Sequence, residues 1–201
     1  MSTVVVTGAS GHIGNNLVRA LLAEQPQRKV RVLVHGDDRR GLEGLTEIEH
    51  VAGDVRDARS LHKAFAGADV VYHLAAFISI SAAEDHHTLP VNAEGTKNVV
   101  AACQREGVRR LVHFSSVHAL WGHPKERPID ETQELADRPD ALPYDRSKAL
   151  GEKAVLAGVQ NGLDAVIVNP GAVIGPNDYR PSAQGTFLMD LYRRKLPALI
   201  E

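Results

Sequence analysis

The chain has 201 residues, 43% of them hydrophobic, with 23 Lys plus Arg against 25 Asp plus Glu, a formal net charge of −2 and one cysteine, Cys103. A length of this order fits one domain that buries roughly 70% of its unfolded surface, so no disulfide staple is needed and a lone cysteine could not supply one. The near-neutral balance excludes the broad positive field of a nucleic-acid binder, the apolar runs fall short of the ~20 residues of a membrane span, and a single thiol fits the cytoplasm.

Met1–Thr7 has no cationic start followed by a long apolar core, and its Val4-Val5-Val6 predicts a strand over Thr3–Thr7. The glycine-rich stretch Gly8–Gly14 follows at once. Ile13, Leu17, Val18, Leu21 and Leu22 then recur at helical spacing as far as Pro26. Further strands are expected over Val30–Val34, Glu47–Val51, Asp69–Leu74, Arg110–Ser115 and Ala165–Val168, and helices over Ala58–Ala66, Ala93–Glu106, Leu142–Gln160 and Ser182–Arg194. Short β-branched runs alternating with helical segments predict an α/β domain whose doubly wound parallel sheet is flanked by helices. Two stretches are irregular, Gly36–Gly44 and Val117–Pro143, the second carrying Pro124, Pro128, Pro139 and Pro143. It leaves the carboxyl end of the fifth strand, where α/β sheets build ligand sites; the plainer reading is a solvated excursion. The apolar Leu196-Pro197-Ala198-Leu199-Ile200 either packs back on the domain or belongs to a chain that continued.

Between the first strand and helix, Gly8-Ala9-Ser10-Gly11-His12-Ile13-Gly14 has the form of a phosphate-binding turn. Glycine permits the tight turn, lets backbone approach a pyrophosphate and leaves room between helix and strand, while the free amides at a helix start attract the anion. At the tip of the second strand, where such folds read the adenosine ribose, stands His35 and no acid, with Arg39 and Arg40 just beyond. That arrangement tilts the cofactor from NAD toward NADP, and Asp37 and Asp38 weaken the tilt. Tyr144 and Lys148 are four apart at the start of a predicted helix and share one face. A phenol needs its pKa lowered by about three units, or about 4 kcal/mol, to act at neutral pH, and a cation beside it contributes to that.

The ordered set Thr7-Gly8-x-x-Gly11-x-x-Gly14, Gly53-Asp54-Val55, His73-Leu74-Ala75-Ala76, Asn92-x-x-Gly95-Thr96, Phe114-Ser115-Ser116, Tyr144-x-x-x-Lys148 and Asn169-Pro170-Gly171 resembles the extended short-chain dehydrogenase/reductase family. That family includes NAD-dependent epimerases and dehydratases acting on nucleotide sugars, dihydroflavonol-reductase-like enzymes and 3β-hydroxysteroid dehydrogenases. The resemblance implies a Rossmann-type NAD(P)-binding domain over residues 1–180, with 181–201 beginning a C-terminal substrate lobe that is otherwise largely absent. It implies that Gly8, Ser10, Gly11, His12, Ile13 and Gly14 surround the pyrophosphate, that His35 and Arg39 face the ribose, and that Asp54 and Val55 meet the adenine. Leu74, Ala75 and Ala76 would line the nicotinamide ribose path, with Asn92, which also braces the local fold, and Ser115 close by. Pro170, Gly171 and Val173 would contact the nicotinamide. Tyr144 would be the general acid/base, Lys148 would bind the ribose, and Ser116, with Ser115 as its rival, would hydrogen-bond the substrate oxygen.

The resemblance therefore implies an NAD(P)-dependent oxidoreductase that moves a hydride between the cofactor and a carbonyl or secondary alcohol. The alternatives are a nucleotide-sugar epimerase or dehydratase that holds NAD tightly and, outside catalysis, an NAD(P)-binding redox sensor. Phe77, Ile78, Ile80, Leu120 and Trp121 suit a partly apolar small-molecule substrate. A homodimer through the helices over Ala93–Glu106 and Leu142–Gln160 is expected. Glu84-Asp85-His86-His87 is not a metal site, since neighbouring side chains on a loop diverge. His113 reads as a satisfied sheet histidine, Cys103 as core beside Val99 and Val100, and His118 as a residue entering the active-site loop.

Overall fold

The computed structural model describes residues 2–78, 86–122 and 128–195. Ile80, Glu84, Asp85, Pro124 and the apolar segment 196–200 lie outside the described residues. Six parallel strands, β1 (Thr3–Thr7), β2 (Lys29–Val34), β3 (Ile48–Ala52), β4 (Val70–His73), β5 (Arg110–Phe114) and β6 (Ala165–Val168), form one sheet in the order β3-β2-β1-β4-β5-β6. The order reverses between β1 and β4, and the crevice outside the carboxyl ends of those strands is where such sheets take ligands. Thr7 is in register with Leu33 on one side and His73 on the other. The glycine turn, the tip of β2 and Leu74 therefore sit at one level.

Period-two alternation sorts the valines of β1 between two cores. Val5 joins Leu33, Val71 and Leu111 under α2 (Ala58–Phe65), α3 (Gly95–Arg105) and α4 (Pro143–Gln160), whose Leu61, Phe65, Val99, Cys103 and Val155 are buried there. Val4 and Val6 join Val30, Val32 and Val34 under Val18 and Leu21 of α1 (His12–Glu24). Asp57 caps α2 by accepting from the Arg59 amide (3.0 Å), and Ser182 caps the last helix, α5 (Ala183–Tyr192), by accepting from the Gly185 amide (3.0 Å).

The helix expected to begin at Ala93 is preceded by a π-helical turn, Leu89–Glu94. This turn buries Asn92, whose Oδ1 accepts from the Phe77 amide (2.8 Å) and whose Nδ2 donates to Phe77 O (2.9 Å) and Ser147 Oγ (2.9 Å). The loop after β4 is thereby tied to α4. The described parts of the Val117–Pro143 segment are anchored and not simply solvated: Leu120 pairs antiparallel with Leu135, and Ala119, Trp121 and Ala136 pack on Ala149 of α4. Among the described residues no helix is long and apolar enough to cross a membrane.

Candidate active site

Gly8 has φ +69°, and a Cβ there would stand 2.5 Å from Ala75 N; one on Gly14 would stand 2.1 Å from Gly8 O. These two glycines are demanded by the chain's own packing. Gly11 differs in degree: a Cβ would meet only Gly8 O, at 3.3 Å, a tight approach that a shift of a few tenths of an ångström would relieve. Gly11 is also the N-cap of α1, with no side chain capping the helix and no acid in its first turn. The helix start is left free for an anion. Across the crevice a Cβ on Gly171 would meet nothing within 4 Å. The bare backbone at Gly11, the open face at Gly171 and the uncapped helix fit a dinucleotide. His12 turns its Nε2 to Pro176 O (3.1 Å), so what it offers an anion is its amide.

At the adenosine end the charges are largely paired with one another. Arg40 grips Asp38 through Nε (2.8 Å) and Nη2 (2.9 Å), and Ser10 of the glycine turn reaches the same carboxylate (3.4 Å). Asp54 accepts from Arg56 and lies 3.2 Å from His35 Nε2. The guanidinium beside Asp54 and that beside Asp38 hold both carboxyls below their ordinary range, the former with a lesser contribution from His35. Arg39 is exposed and among the described residues pairs with no acid.

At the other end the Ser116 Oγ caps a 3-10 turn, Val117–Ala119, by accepting from the His118 amide (3.2 Å), and it lies close enough to the Tyr144 phenol to act on its acidity. Ser115, also buried, leaves its Oγ without a partner among the described residues. Burial pushes the Tyr144 phenol up, the Ser116 hydroxyl offsets part of this, and Asp145 adds to it. The protein alone therefore does not lower this phenol. Lys148 lies one turn on, 3% exposed, and donates from Nζ to Phe114 O (2.9 Å); burial draws its ammonium down to about 8 against the opposing effect of Glu152. At neutral pH it remains mostly charged.

Glu152 is a residue that motif reading missed. Buried one turn beyond Lys148, it accepts from Asn169 Nδ2 (2.5 Å), which also donates to Ser116 O (3.0 Å). The i, i+4 repeat Tyr144, Lys148, Glu152 was the available signal. Beneath the site His73 is held between Thr7 Oγ1 (2.7 Å) and Thr96 Oγ1 (3.0 Å), and burial pulls its imidazole down to about 3. His113 is not a satisfied sheet histidine. It stacks on His73 at 5.2 Å, neither ring nitrogen has a partner among the described residues, and burial holds it neutral. Burial likewise raises the Cys103 thiol to about 12. Trp121, expected at the substrate, packs on the small core at α4 with Arg138 5.0 Å over its ring, and Leu120 pairs with Leu135. Phe77 is half-buried with its ring 5.3 Å from that of His87, and Ile78 is 67% exposed.

The profile of the NAD dependent epimerase/dehydratase family matches residues 4–197. Sterol demethylase protein B of Methylococcus capsulatus is 39% identical over 199 residues, which cover 98% of this chain and 60% of that protein. Among solved structures, gox2253 superposes with a TM-score of 0.87 at 30% identity, covering 99% of this chain and 60% of the other. The dTDP-glucose 4,6-dehydratase DesIV of Streptomyces venezuelae, solved with NAD, gives 0.81 at 28% identity, covering 95% and 62%. The chain thus spans about 60% of the length of these relatives. With the profile matched along nearly its whole length and the glycine turn, Ser116, Tyr144 and Lys148 on the carboxyl-end side of the sheet, the chain belongs to the NAD-dependent epimerase/dehydratase family of extended short-chain dehydrogenases/reductases.

Proposed function

We propose that this chain is the cofactor-binding and catalytic part of a cytoplasmic NAD(P)-dependent oxidoreductase acting on a carbonyl or secondary alcohol. The observation that carries the reading is the gathering of Ser116, Tyr144 and a buried Lys148 at the carboxyl end of β5, on the same side of the sheet as the glycine turn. Residues 1–180 form the cofactor domain, and 181–201 begin the substrate lobe. Gly8 through Gly14 hold the pyrophosphate, Asp54 and Val55 the adenine, and Leu74, Ala75, Ala76, Pro170, Gly171 and Val173 the nicotinamide half.

When bound, the nicotinamide supplies or accepts the hydride. Ser116 holds the substrate oxygen and Tyr144 gives that oxygen its proton, or takes it back in the reverse direction. Lys148 binds the ribose hydroxyls and stabilises the phenolate form, against the upward push that burial and Asp145 exert. Glu152 and Asn169 keep Lys148 and Ser116 in place.

The tip of β2 favours NADP, with Arg39 as the free cation and Arg40 drawn onto Asp38. Leu156 and Val159, exposed on α4, suit a homodimer through α3 and α4. The test is reduction of a panel of carbonyl compounds with NADPH and NADH, by wild type and Tyr144→Phe. Carbonyl-dependent oxidation of the cofactor is expected, and the phenylalanine variant should turn over two to four decades more slowly, the range of ~10²–10⁴ for a lost general acid. Near wild-type turnover refutes the assignment. Retention of NAD through purification would point instead to an epimerase or dehydratase that recycles it.

A further inference from the structure

The segment that follows β6 is tied to the first residues of α1, and no role assigned above uses that tie. Pro176 O accepts from His12 Nε2 (3.1 Å) and from Asn16 Nδ2 (3.0 Å), and Asn177 O accepts from Asn15 Nδ2 (3.0 Å). In return Asn177 Nδ2 donates to Asn16 Oδ1 (2.9 Å). Asn177 has φ +64°, a left-handed conformation that asparagine adopts more readily than other side chains. Two residues later the Tyr179 hydroxyl donates to Asn177 Oδ1 (3.2 Å), and the Tyr179 ring lies on Gly41.

A Cβ on Gly41 would stand 2.7 Å from Tyr179 Cδ2 and 3.0 Å from Cε2, so the ring occupies the face that a side chain would fill. Gly41, at φ +73°, is the third residue of a turn closed by the Leu42 amide donating to Arg39 O (2.9 Å). Arg19 Nη2 donates to Gly41 O (2.9 Å), and Leu42 is buried in the core beneath α1. The turn is thus gripped by Arg19, Leu42 and Tyr179 together, and Arg39, its first residue, is exposed. A charged contact made from an unfixed turn loses part of its strength in ordering the backbone, a factor of about ten for one residue. A turn fixed beforehand keeps that factor.

We infer that Tyr179 is a positioning residue for cofactor choice: seated on Gly41 and tied through Asn177 to α1, its ring fixes the turn Arg39–Leu42 and with it the cation that meets a 2′-phosphate. This rests on the proposed role of Arg39 at the ribose, while the order of the turn belongs to Tyr179. Pro170, Gly171 and Val173, proposed at the nicotinamide, precede Tyr179 on the same segment. One stretch of chain therefore gauges both ends of the dinucleotide.

The experiment uses adenosine 2′,5′-bisphosphate and adenosine 5′-monophosphate, which lack the nicotinamide half, and measures their affinities by calorimetry. Wild type should prefer the bisphosphate. Tyr179 is half exposed, so truncating it leaves the core intact. Tyr179→Ala should lose about ten-fold in bisphosphate affinity and no more than about two-fold in monophosphate affinity. Tyr179→Phe, which keeps the ring on Gly41, should stay within about two-fold of wild type for both. In protein without ligand, trypsin should cut the Arg39–Arg40 and Arg40–Gly41 bonds about ten-fold faster in Tyr179→Ala than in wild type or Tyr179→Phe. Arg39→Ala should lose the preference, and Tyr179→Ala added to it should cost nothing more, since both act through one contact. Bisphosphate affinity unchanged in Tyr179→Ala, an equal loss for both nucleotides, cleavage no faster than in wild type, or losses that add in full overturns the inference alone. A preference absent from wild type, or untouched by Arg39→Ala, overturns the reading of Arg39 and this inference with it.

Discussion

Lys148→Met should make the cofactor-free protein more stable at neutral pH while abolishing cofactor binding and turnover. Burial draws the ammonium from the ordinary 10.5 to about 8, a displacement worth about 3 kcal/mol against the folded state. Below pH 8 both states carry the proton, and the fold bears the full cost of burying the charge. Between pH 8 and 10.5 the folded form has released the proton and the unfolded chain still holds it, so this lysine makes stability rise with pH. Methionine removes both the cost and the slope. The attraction of Glu152 is already contained in that displacement; against the gain, Phe114 O loses its donor at 2.9 Å, about 1 kcal/mol. The variant should therefore exceed wild type by about 2 kcal/mol at pH 7. Its advantage should shrink by about 2 kcal/mol on going to pH 9.5, enough to bring the two level. Urea unfolding of both proteins at both pH values measures this, since the other titrating groups cancel in the comparison. A variant destabilised by the same amount at pH 7 and pH 9.5 would refute the buried-cation reasoning and leave Lys148 as a strut for the Phe114 carbonyl.

Gly11→Val should fold, at a small cost from the Cβ approach to Gly8 O at 3.3 Å, and fail to bind dinucleotide, because its side chain takes the place the phosphate needs at the turn. Gly14→Ala should instead cost about 3 kcal/mol of stability, since its Cβ meets Gly8 O at 2.1 Å; nicotinamide fluorescence and thermal unfolding separate the two, and unchanged affinity in Gly11→Val would make the turn structural only. Cofactor preference is read as a ratio of affinities: His35→Asp should swing it toward NAD, and Arg39→Ala should erode NADP affinity by about one decade or more, the worth of a charge-assisted contact. Arg40→Ala should do less, because its guanidinium is already held by Asp38. A wild type that prefers NAD, with a ratio that none of these changes moves, would put ribose recognition elsewhere.

The βαβ start of the chain was legible because its signals are local: β-branched residues, glycine spacing and a 3.6-residue stripe each act within a few positions. The same is true of β6, expected and found over Ala165–Val168. Near Leu89 the local signal misleads. A π-turn, Leu89–Glu94, which carries one residue more than the helical period allows, precedes the α-helix expected from Ala93 and found from Gly95. Arg31 was counted in a strand without notice of its burial, yet its Nη1 donates to Ala64 O (2.6 Å) and Ala66 O (3.0 Å) at the end of α2, a contact made by chain reversal. The Tyr144 and Lys148 spacing was visible; that Tyr144 meets Ser116, or that Asp145 meets His118, depends on how the Val117–Pro143 segment folds back on α4. Pairing of that kind has no period in the sequence.

The close packing around Gly8 bears on how this turn could be moved or redesigned. Its three glycines read as a contiguous string, but the wall against which Gly8 is pressed is Leu74-Ala75, contributed by the end of β4 more than sixty residues later, and Gly14 closes on Gly8 from the helix side. The transplantable unit is therefore discontinuous. Grafting residues 7–14 alone onto another parallel sheet would carry the motif without its mould, and a useful graft has to bring Leu74, Ala75 and the β1–β4 register with it.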